Sequence, residues 1–294
     1  MHVFLTGAGS FIGKAFLKWC DQQNIRVTGV DVVDINRDDC FVGDIRSDGI
    51  GDLIPENIDA IVHLAALSRD PDCRGKAYDC FDTNVMSTLK LMDIAEKKGI
   101  KQFVFSSSEW VYSHYPNGED VTEETEIDIT KHKSEYALSK LVTEANLRQR
   151  SLQGYIPITI LRFGIVYGPR PSNWCAVEGL LNQVRTKEEI TVGSKKTARS
   201  FIHVDDVARA IGMSLGTSDF RIYNIQGSRL ISLEDVIVAS AQLLKRDVRI
   251  VETDPKNPSI RTVSGAKVKQ ELGFEANIPL QEGLQSVIDF LGWS

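Results

Sequence analysis

The sequence predicts an α/β protein: a doubly wound parallel sheet followed by a smaller mixed α/β domain. Three observations predict this fold class. Short apolar runs alternate with longer amphipathic segments over the first 165 residues, a glycine-rich turn follows the first run, and the alternation loosens after Gly168-Pro169. Continuously apolar strands separated by helices are typical of a parallel sheet covered on both faces.

The first domain is predicted to span residues 1–167. Its predicted strands are 3–6, 27–31, a third short strand before the GDIRS segment, 60–66, 103–108 and 158–163. Its predicted helices begin near residue 11 and span 78–98 and 134–152. The acidic stretch EDVTEETEID, 119–128, is predicted to be a solvated loop.

The second, smaller domain is predicted to span residues 168–294, with residues of about 201–226 returning to the main sheet. Its predicted strands are 190–192, 201–203 and 222–225, and its predicted helices are 178–185, 205–215, 232–244 and the tail LQEGLQSVIDFL. The helix from Ser232 opens with S-x-x-D, a pattern that resembles a capping box.

Composition excludes several classes of protein. The chain is 42% hydrophobic and 25% charged, and its net charge of −6 gives no basic excess that would favour nucleic-acid binding. Its 294 residues are enough to form a core that needs no disulfide or metal. Five cysteines without a C-x-x-C are expected to be reduced packing residues, with no metal site. The absence of a signal peptide or a long apolar run predicts a cytoplasmic protein without a membrane partner.

The turn TGAGSFIG, residues 6–13, lies between the first strand and the first helix, where glycines let a dinucleotide diphosphate approach the backbone. Asp31 ends the second strand 24 residues after Gly7, close to the ~20 expected for a carboxylate that binds ribose. A carboxylate here favours NAD over NADP, although Arg37 lies close enough to weaken that preference. Asp44 is either a contact to the adenine amino group or a turn acceptor.

Tyr136 and Lys140 lie four residues apart in SEYALSK, so a helix places both side chains on one face. In isolation such a pair is more often two exposed surface residues. It becomes informative because Ser108 ends the strand FVFSSS, at the carboxyl edge where doubly wound sheets bind ligands.

Motifs along nearly the whole chain resemble the extended short-chain dehydrogenase/reductases, specifically their nucleotide-sugar epimerase/dehydratase branch. They are TGAGSFIG, GDIRS, HLAA, NVMSTLKL, FVFSSS, YALSK, LRF with VYGP, RSFIHVDDVARAI, YNI and KVKQELGF. The resemblance implies a Rossmann domain that binds NAD, a nucleoside-diphosphate sugar as substrate, and a homodimer. Met86, Leu89, Leu138 and Leu141 could form the dimer interface or an ordinary intrachain core.

The resemblance also implies residue roles. Tyr136 would be the acid/base on a sugar hydroxyl or carbonyl, Lys140 would bind the nicotinamide ribose and lower the pKa of Tyr136, and Ser108 would bind the same substrate oxygen. Since a phenol has a pKa of ~10, a nearby ammonium and the positive nicotinamide are expected to favour phenolate. The implied cofactor contacts are Gly7, Gly9, Ser10, Phe11, Ile12, Gly13, Asp31, Asp44, Ile45, Leu64, Ala65, Ala66, Asn84, Tyr136, Lys140 and Phe163.

On the substrate side, the resemblance implies that Arg199 and Arg261 bind the diphosphate, a geometry that suits guanidinium groups. Each could equally be a surface ion pair. Ser68 and Arg69, in the charged segment SRDPDCRGK, are candidates for sugar contact or ordinary loop residues.

Three positions depart from the family pattern. Ser10 stands where relatives usually have glycine, and Ile165 stands where an asparagine often contacts the sugar nucleotide. The 4,6-dehydratases have two acids after the serine or threonine, whereas this chain has Glu109 and Trp110. Glu109 could act as a single acid/base or be a salt-bridged loop residue.

The leading hypothesis is therefore an epimerase that oxidises a nucleotide-sugar at C4 and reduces it again with retained NAD. The alternatives are a reductase of 4-keto-6-deoxy nucleotide-sugars that uses NAD(P)H, a dehydratase that uses Glu109, and a non-catalytic dinucleotide sensor.

Overall fold

The computed structural model describes residues 1–293. Its strands are β1 His2–Thr6, β2 Arg26–Asp31, β3 Cys40–Val42, β4 Ala60–His63, β5 Gln102–Ser108, β6 Asp120–Val121, β7 Ile158–Phe163, β8 Val166–Tyr167, β9 Glu189–Val192, β10 Ala198–Arg199, β11 Ile202–His203, β12 Phe220–Ile225, β13 Ile231–Ser232, β14 Arg249–Glu252 and β15 Thr262–Val263. Its α-helices are α1 Phe11–Gln22, α2 Asp70–Cys73, α3 Ala77–Phe81, α4 Ser87–Lys97, α5 Glu135–Leu152, α6 Ala176–Thr186, α7 Val204–Met213, α8 Leu233–Leu244, α9 Ala266–Leu272 and α10 Leu280–Leu291.

A seven-stranded sheet has the order β12-β7-β5-β4-β1-β2-β3. Each pairing from β7 to β3 is parallel, and Val3 of β1 is in register with Val27 of β2 and Ala60 of β4. The chain builds the sheet outward in both directions from β1, which is the doubly wound arrangement. The predicted fold class is therefore confirmed.

The first compact unit comprises residues 1–114, 123–163 and 208–223. Its strands β1, β4, β5 and β7 are buried along their whole length, because helices cover the sheet and leave no solvated strand face. Phe4, Ile61, Phe103 and Leu91 belong to its hydrophobic core. None of the helices in residues 1–293 has the length and apolar character needed to cross a membrane.

Two predicted elements of this unit have different bounds. The predicted strand 60–66 ends at His63. The predicted helix 78–98 is interrupted between α3 and α4 by a π-helical turn, Asp82–Met86. In this turn the Asn84 carbonyl oxygen accepts hydrogen bonds from the hydroxyls of Thr88 and Thr143, which stabilise the departure from regular helix.

The second compact unit comprises residues 115–122, 164–207 and 224–293. Helices α6, α8 and α10 supply Leu181, Val236 and Leu284 to its core. The domain boundary at residue 167 and the return of residues of about 201–226 to the first domain stay predictions. The predicted capping box is confirmed, because the Ser232 hydroxyl accepts from the Asp235 amide and the Asp235 carboxylate accepts from the Ser232 amide.

The prediction that the acidic stretch 119–128 is entirely a solvated loop is wrong. Asp120–Val121 form strand β6, which pairs in parallel with β15, and the side chain of Val121 is buried. A two-residue pairing is too short to show in the alternation of apolar residues.

Candidate active site

The glycine turn closes tightly between β1 and α1. At Gly7 φ is +73°, and an added Cβ would lie 2.7 Å from the Ala65 amide nitrogen. At Gly13 it would collide with the Gly7 carbonyl oxygen. The turn thus lies within van der Waals reach of the backbone after β4, and the positive end of the α1 dipole faces the loop. A site of this kind fits the diphosphate of a dinucleotide.

Ser10 does not distort this turn. It has φ −68° and ψ 166°, an extended conformation that any residue adopts, and it is the N-cap of α1. Its hydroxyl oxygen accepts a hydrogen bond from the Gly13 amide at 3.0 Å. Replacing the usual glycine by serine therefore adds a helix cap without backbone strain.

Asp31, at the end of β2, lies beside the turn. One carboxylate oxygen accepts from the Gly9 amide at 2.9 Å and the other from the Val33 amide at 3.2 Å. A carboxylate can accept further hydrogen bonds, so ribose hydroxyls remain compatible with this geometry.

Arg37 and Asp44 are both engaged in local ion pairs. Arg37 binds Asp21 and Asp39, and these hydrogen bonds raise its pKa. Asp44 accepts from the amide and side chain of Arg46, which lowers the pKa of Asp44. The turn-acceptor role left open for Asp44 is thus present, and the charge of Arg37 is neutralised by two carboxylates.

Tyr136 and Lys140 occupy the first turns of α5, and both are buried. The Ser108 side chain lies close enough to the Tyr136 hydroxyl to lower its pKa. The Lys140 ammonium donates to the Ser106 carbonyl oxygen at 2.8 Å and lies 5.9 Å from the centroid of the Tyr136 ring. The chain thus brings the predicted serine, tyrosine and lysine to one place at the carboxyl end of β5.

The protein's own groups shift the pKa of Tyr136 in the opposite direction to the one expected. Burial raises it to about 12, and the nearby Ser108 side chain opposes this only in part. Burial lowers the pKa of Lys140 to about 8. The expectation that Lys140 and the nicotinamide ring together favour the phenolate stays a prediction, and their charge would have to outweigh this desolvation.

Asn84 holds the wall of this site together. Its side-chain oxygen accepts from the Leu67 amide at 2.8 Å, and its amide nitrogen donates to the Leu67 carbonyl and to the Ser139 hydroxyl, each at 3.0 Å. These bonds fix the chain after β4 to α5. Ser106, Ser139 and Leu67 bind the side chains of Lys140 and Asn84, and the sequence analysis did not identify them. For Ser139, its position three residues after Tyr136 on the same helix could have indicated a place in the site.

The other candidates of the first unit have varied surroundings. Glu109 is buried and begins a short 3₁₀ turn, while the neighbouring Trp110 is 39% exposed. Phe163 is buried and is in register with Ser108 across β5 and β7. The side chain of Ile45 belongs to the hydrophobic core, so any cofactor contact at this position is left to its backbone.

The remaining predicted cofactor and sugar contacts lie near the glycine turn or on the following loop. Ala65 donates its amide to the Thr6 hydroxyl, and Leu64 donates to the Thr6 carbonyl. Ser68 is exposed, and Arg69 binds Asp72. Phe11, Ile12 and Ala66 are partly buried.

The two arginines predicted to bind a diphosphate belong to the second unit. Arg199 donates to the carbonyl oxygens of Ala198 and Ser259 and to the Ser259 hydroxyl. A bridge between Ala198 and Ile260 places Arg261 beside the same strand. Ile165 packs against the second core.

Across residues 1–293, no group of three or more His, Cys, Asp or Glu side chains could hold a metal ion. A glycine turn at the first strand, together with buried serine, tyrosine and lysine side chains, defines a dinucleotide-dependent enzyme. The chain belongs to the NAD dependent epimerase/dehydratase family, whose model matches residues 3–225. The predicted family is confirmed, and NAD is the cofactor of that family.

Relatives with several activities match the chain over nearly its full length. It is 25% identical to a dTDP-4-dehydro-6-deoxy-D-allose reductase of a Streptomyces species, covering 96% of this chain and 94% of the relative. It is also 25% identical to the dTDP-glucose 4,6-dehydratase of Streptomyces griseus, covering 98% and 93%. The UDP-glucose 4-epimerase of Thermotoga maritima, solved with UDP-glucose, has the same fold, with a TM-score of 0.85, 23% identity and 99% coverage of each chain.

Proposed function

We propose that this protein is an NAD-dependent epimerase that inverts C4 of a nucleotide-sugar and retains NAD between turnovers. One observation carries the proposal: Ser108, Tyr136 and Lys140 are buried together at the carboxyl end of β5, with Lys140 one helical turn after Tyr136. This arrangement can exchange one proton with one substrate oxygen.

The residues divide the proton chemistry between them. Tyr136 takes the proton of the sugar hydroxyl as the carbonyl forms, and returns it when the hydroxyl re-forms. Ser108 donates a hydrogen bond to the same oxygen. Lys140, with a pKa of about 8, is mostly charged at pH 7 and supplies positive charge where the phenolate forms. NAD, when bound, supplies the acceptor and donor of the hydride.

The residues beside the glycine turn favour NAD, retained between turnovers, over NADPH as an exchangeable cofactor. The Asp31 carboxylate lies beside the glycine turn and would repel a 2′-phosphate. Arg37, a cation close in sequence that could bind such a phosphate, is bound to Asp21 and Asp39. An enzyme that returns its hydride to the same molecule has no need to exchange cofactor.

A second carboxylate is needed for the usual elimination of water, and this argues against a dehydratase. Glu109 is followed by Trp110, and an indole cannot exchange protons. For the substrate, we propose a nucleoside diphosphate sugar, since the relatives named above act on UDP- or dTDP-sugars. Arg199 and Arg261 are the proposed diphosphate ligands, and a homodimer through α4 and α5 remains a prediction.

The test begins with the purified protein. Denaturing it should release NAD close to one per chain, as measured by chromatography. Incubation with UDP-glucose, UDP-glucuronic acid and dTDP-glucose should convert one of them to its C4 epimer by NMR, without net formation of reduced nicotinamide.

Tyr136→Phe is the matched inactive variant, and Tyr78→Phe, at an exposed position, is the control that keeps activity. Stoichiometric consumption of NADPH with a 4-keto-6-deoxy sugar nucleotide, without formation of an epimer, would show that the protein is a reductase and not an epimerase. Release of water from dTDP-glucose would replace it by a dehydratase.

A further inference from the structure

Two cysteines lie together against the tyrosine of the candidate active site. Cys73, at the end of α2, and Cys80, in α3, are both fully buried, and with Tyr136 they form a small hydrophobic cluster against which Leu67 packs. Their sulfur atoms are 2.6 Å apart. Composition and spacing had indicated only isolated packing residues.

The other three cysteines have different surroundings. The thiol of Cys40 donates to Asp39 and that of Cys175 to Glu178, whereas Cys20 is buried in α1. Cys73 and Cys80 instead meet through their sulfur atoms, well inside the ~3.5–4.0 Å separation of non-bonded atoms. A movement of about 0.5 Å would bring them to the ~2.05 Å of a disulfide bond.

We propose that Cys73 and Cys80 are a redox modification site that forms a reversible intrachain disulfide. With hydrogen peroxide as the oxidant, one thiol attacks a peroxide oxygen, the O–O bond breaks, and a sulfenic acid and one water form. The second thiol attacks that sulfur, the S–OH bond breaks, and a disulfide and a second water form. A dithiol reverses the bond by thiol–disulfide exchange and is itself oxidised to a disulfide.

The position of the pair predicts that its oxidation is slow and confined to this part of the chain. Burial raises the pKa of the Cys73 thiol, so little thiolate is present at neutral pH. Helix α2 is a single turn, and Ser68, Arg69 and Arg74 around it are exposed, so local opening of this turn admits a small oxidant. The bond would tie α2 to α3 beside Tyr136. If the proposed function holds, this disulfide bond lies in the wall of the catalytic site.

The test does not depend on that function. The folded protein is treated with hydrogen peroxide, quenched and denatured in the presence of an alkylating reagent, and the alkylated thiols are counted. The number should fall by two from the five present, and dithiothreitol should restore them. Trypsin cuts after Arg69, Arg74, Lys76 and Lys90, so the disulfide should join peptide 70–74 to peptide 77–90 in a mass spectrum.

Cys73→Ala and Cys80→Ala should each abolish the joined peptides and the paired loss of thiols. Cys40→Ser is the matched control and should still lose two. The mass spectrum of the parent protein needs no variant, so a misfolded variant does not affect the outcome. Retention of all five thiols, a bond between other cysteines, or a bond between two chains on a non-reducing gel would each overturn the proposal.

Discussion

Two buried cations, Lys140 on helix α5 and Arg162 on strand β7, have different partners. The Lys140 ammonium donates to the carbonyl oxygen of Ser106. The Arg162 guanidinium, on β7, donates to both oxygens of Glu144 and to the Tyr112 hydroxyl, and Glu144 also accepts from the Ser107 hydroxyl. Lys140 and Glu144 are only one helical turn apart.

The difference in partners has a direct effect on charge. At Lys140 burial prevails and lowers the pKa to about 8, within reach of neutral pH. At Arg162 burial also acts to lower the pKa, but Glu144 and Tyr112 outweigh it and raise it. The buried lysine with a carbonyl partner is available for proton chemistry, whereas the arginine, which keeps its proton in any case, is held in place by its carboxylate partner.

Tyr136→Phe tests the chemical side of this comparison and should have the largest effect. Loss of the hydroxyl removes the proposed proton acceptor, so kcat should fall by about 10²–10⁴-fold while the fold is kept. Steady-state kinetics and far-UV circular dichroism measure the two quantities. A variant that turns over as fast as the parent would remove Tyr136 from the mechanism.

Glu144→Gln tests the structural side. It leaves the buried guanidinium of Arg162 without a counter-ion, so the free energy of unfolding should fall by about 3–5 kcal/mol in urea denaturation. Glu135→Gln, on the same helix but partly exposed, is the control and should cost less than about 1 kcal/mol. Equal losses in the two variants would show that the network around Arg162 contributes little.

The pH dependence of stability separates Lys140 from Arg162. In the unfolded chain lysine keeps its proton to a pKa of ~10.4, but in the folded protein Lys140 loses it near 8. Between these values the unfolded state binds more protons, so Lys140 adds up to about 1.4 kcal/mol of stability per pH unit as pH rises from 8 to 10. Denaturation of the parent and of Lys140→Met at pH 7.5 and 9.5 measures this, and the rise should be smaller in the variant. An equal rise would place the folded pKa of Lys140 near its ordinary value.

The sequence predicts the parts of this molecule that depend on local order. Strands β1, β5 and β7 are apolar runs with clear ends, and Tyr136 and Lys140 share a helix face by spacing alone. The direction of the Tyr136 pKa shift was out of reach, because desolvation depends on what packs over the ring. The contact of Cys73 with Cys80 likewise depends on how the chain folds back between α2 and α3.

In the second unit, several strands are too short to be predicted from the sequence. Its strand pairings β6 with β15 and β10 with β13 are two residues long, and a run of two carries no periodic signal. Its helices α8 and α10, in contrast, are amphipathic and were predicted from 232–244 and the final LQEGLQSVIDFL. Element length, more than burial, decided what was predictable here.

The smallest effect is expected where no ion is involved. The Ser10 hydroxyl caps α1 by accepting from the Gly13 amide, a neutral hydrogen bond at 3.0 Å. Ser10→Ala should lower the free energy of unfolding by about 1 kcal/mol, because the amide loses its partner and the backbone is otherwise unchanged. Urea denaturation at constant pH measures the change.

Ser10→Gly is the matched variant, and it should cost only a few tenths of a kcal/mol, since glycine lets water reach the helix end. Stability should increase from Ser10→Ala to Ser10→Gly to the parent protein. A loss of about 1 kcal/mol in Ser10→Ala would also lie well below that expected for Glu144→Gln. A loss at Ser10→Ala as large as that of Glu144→Gln would contradict the comparison, because a neutral cap at a helix end would then matter as much as a buried charge.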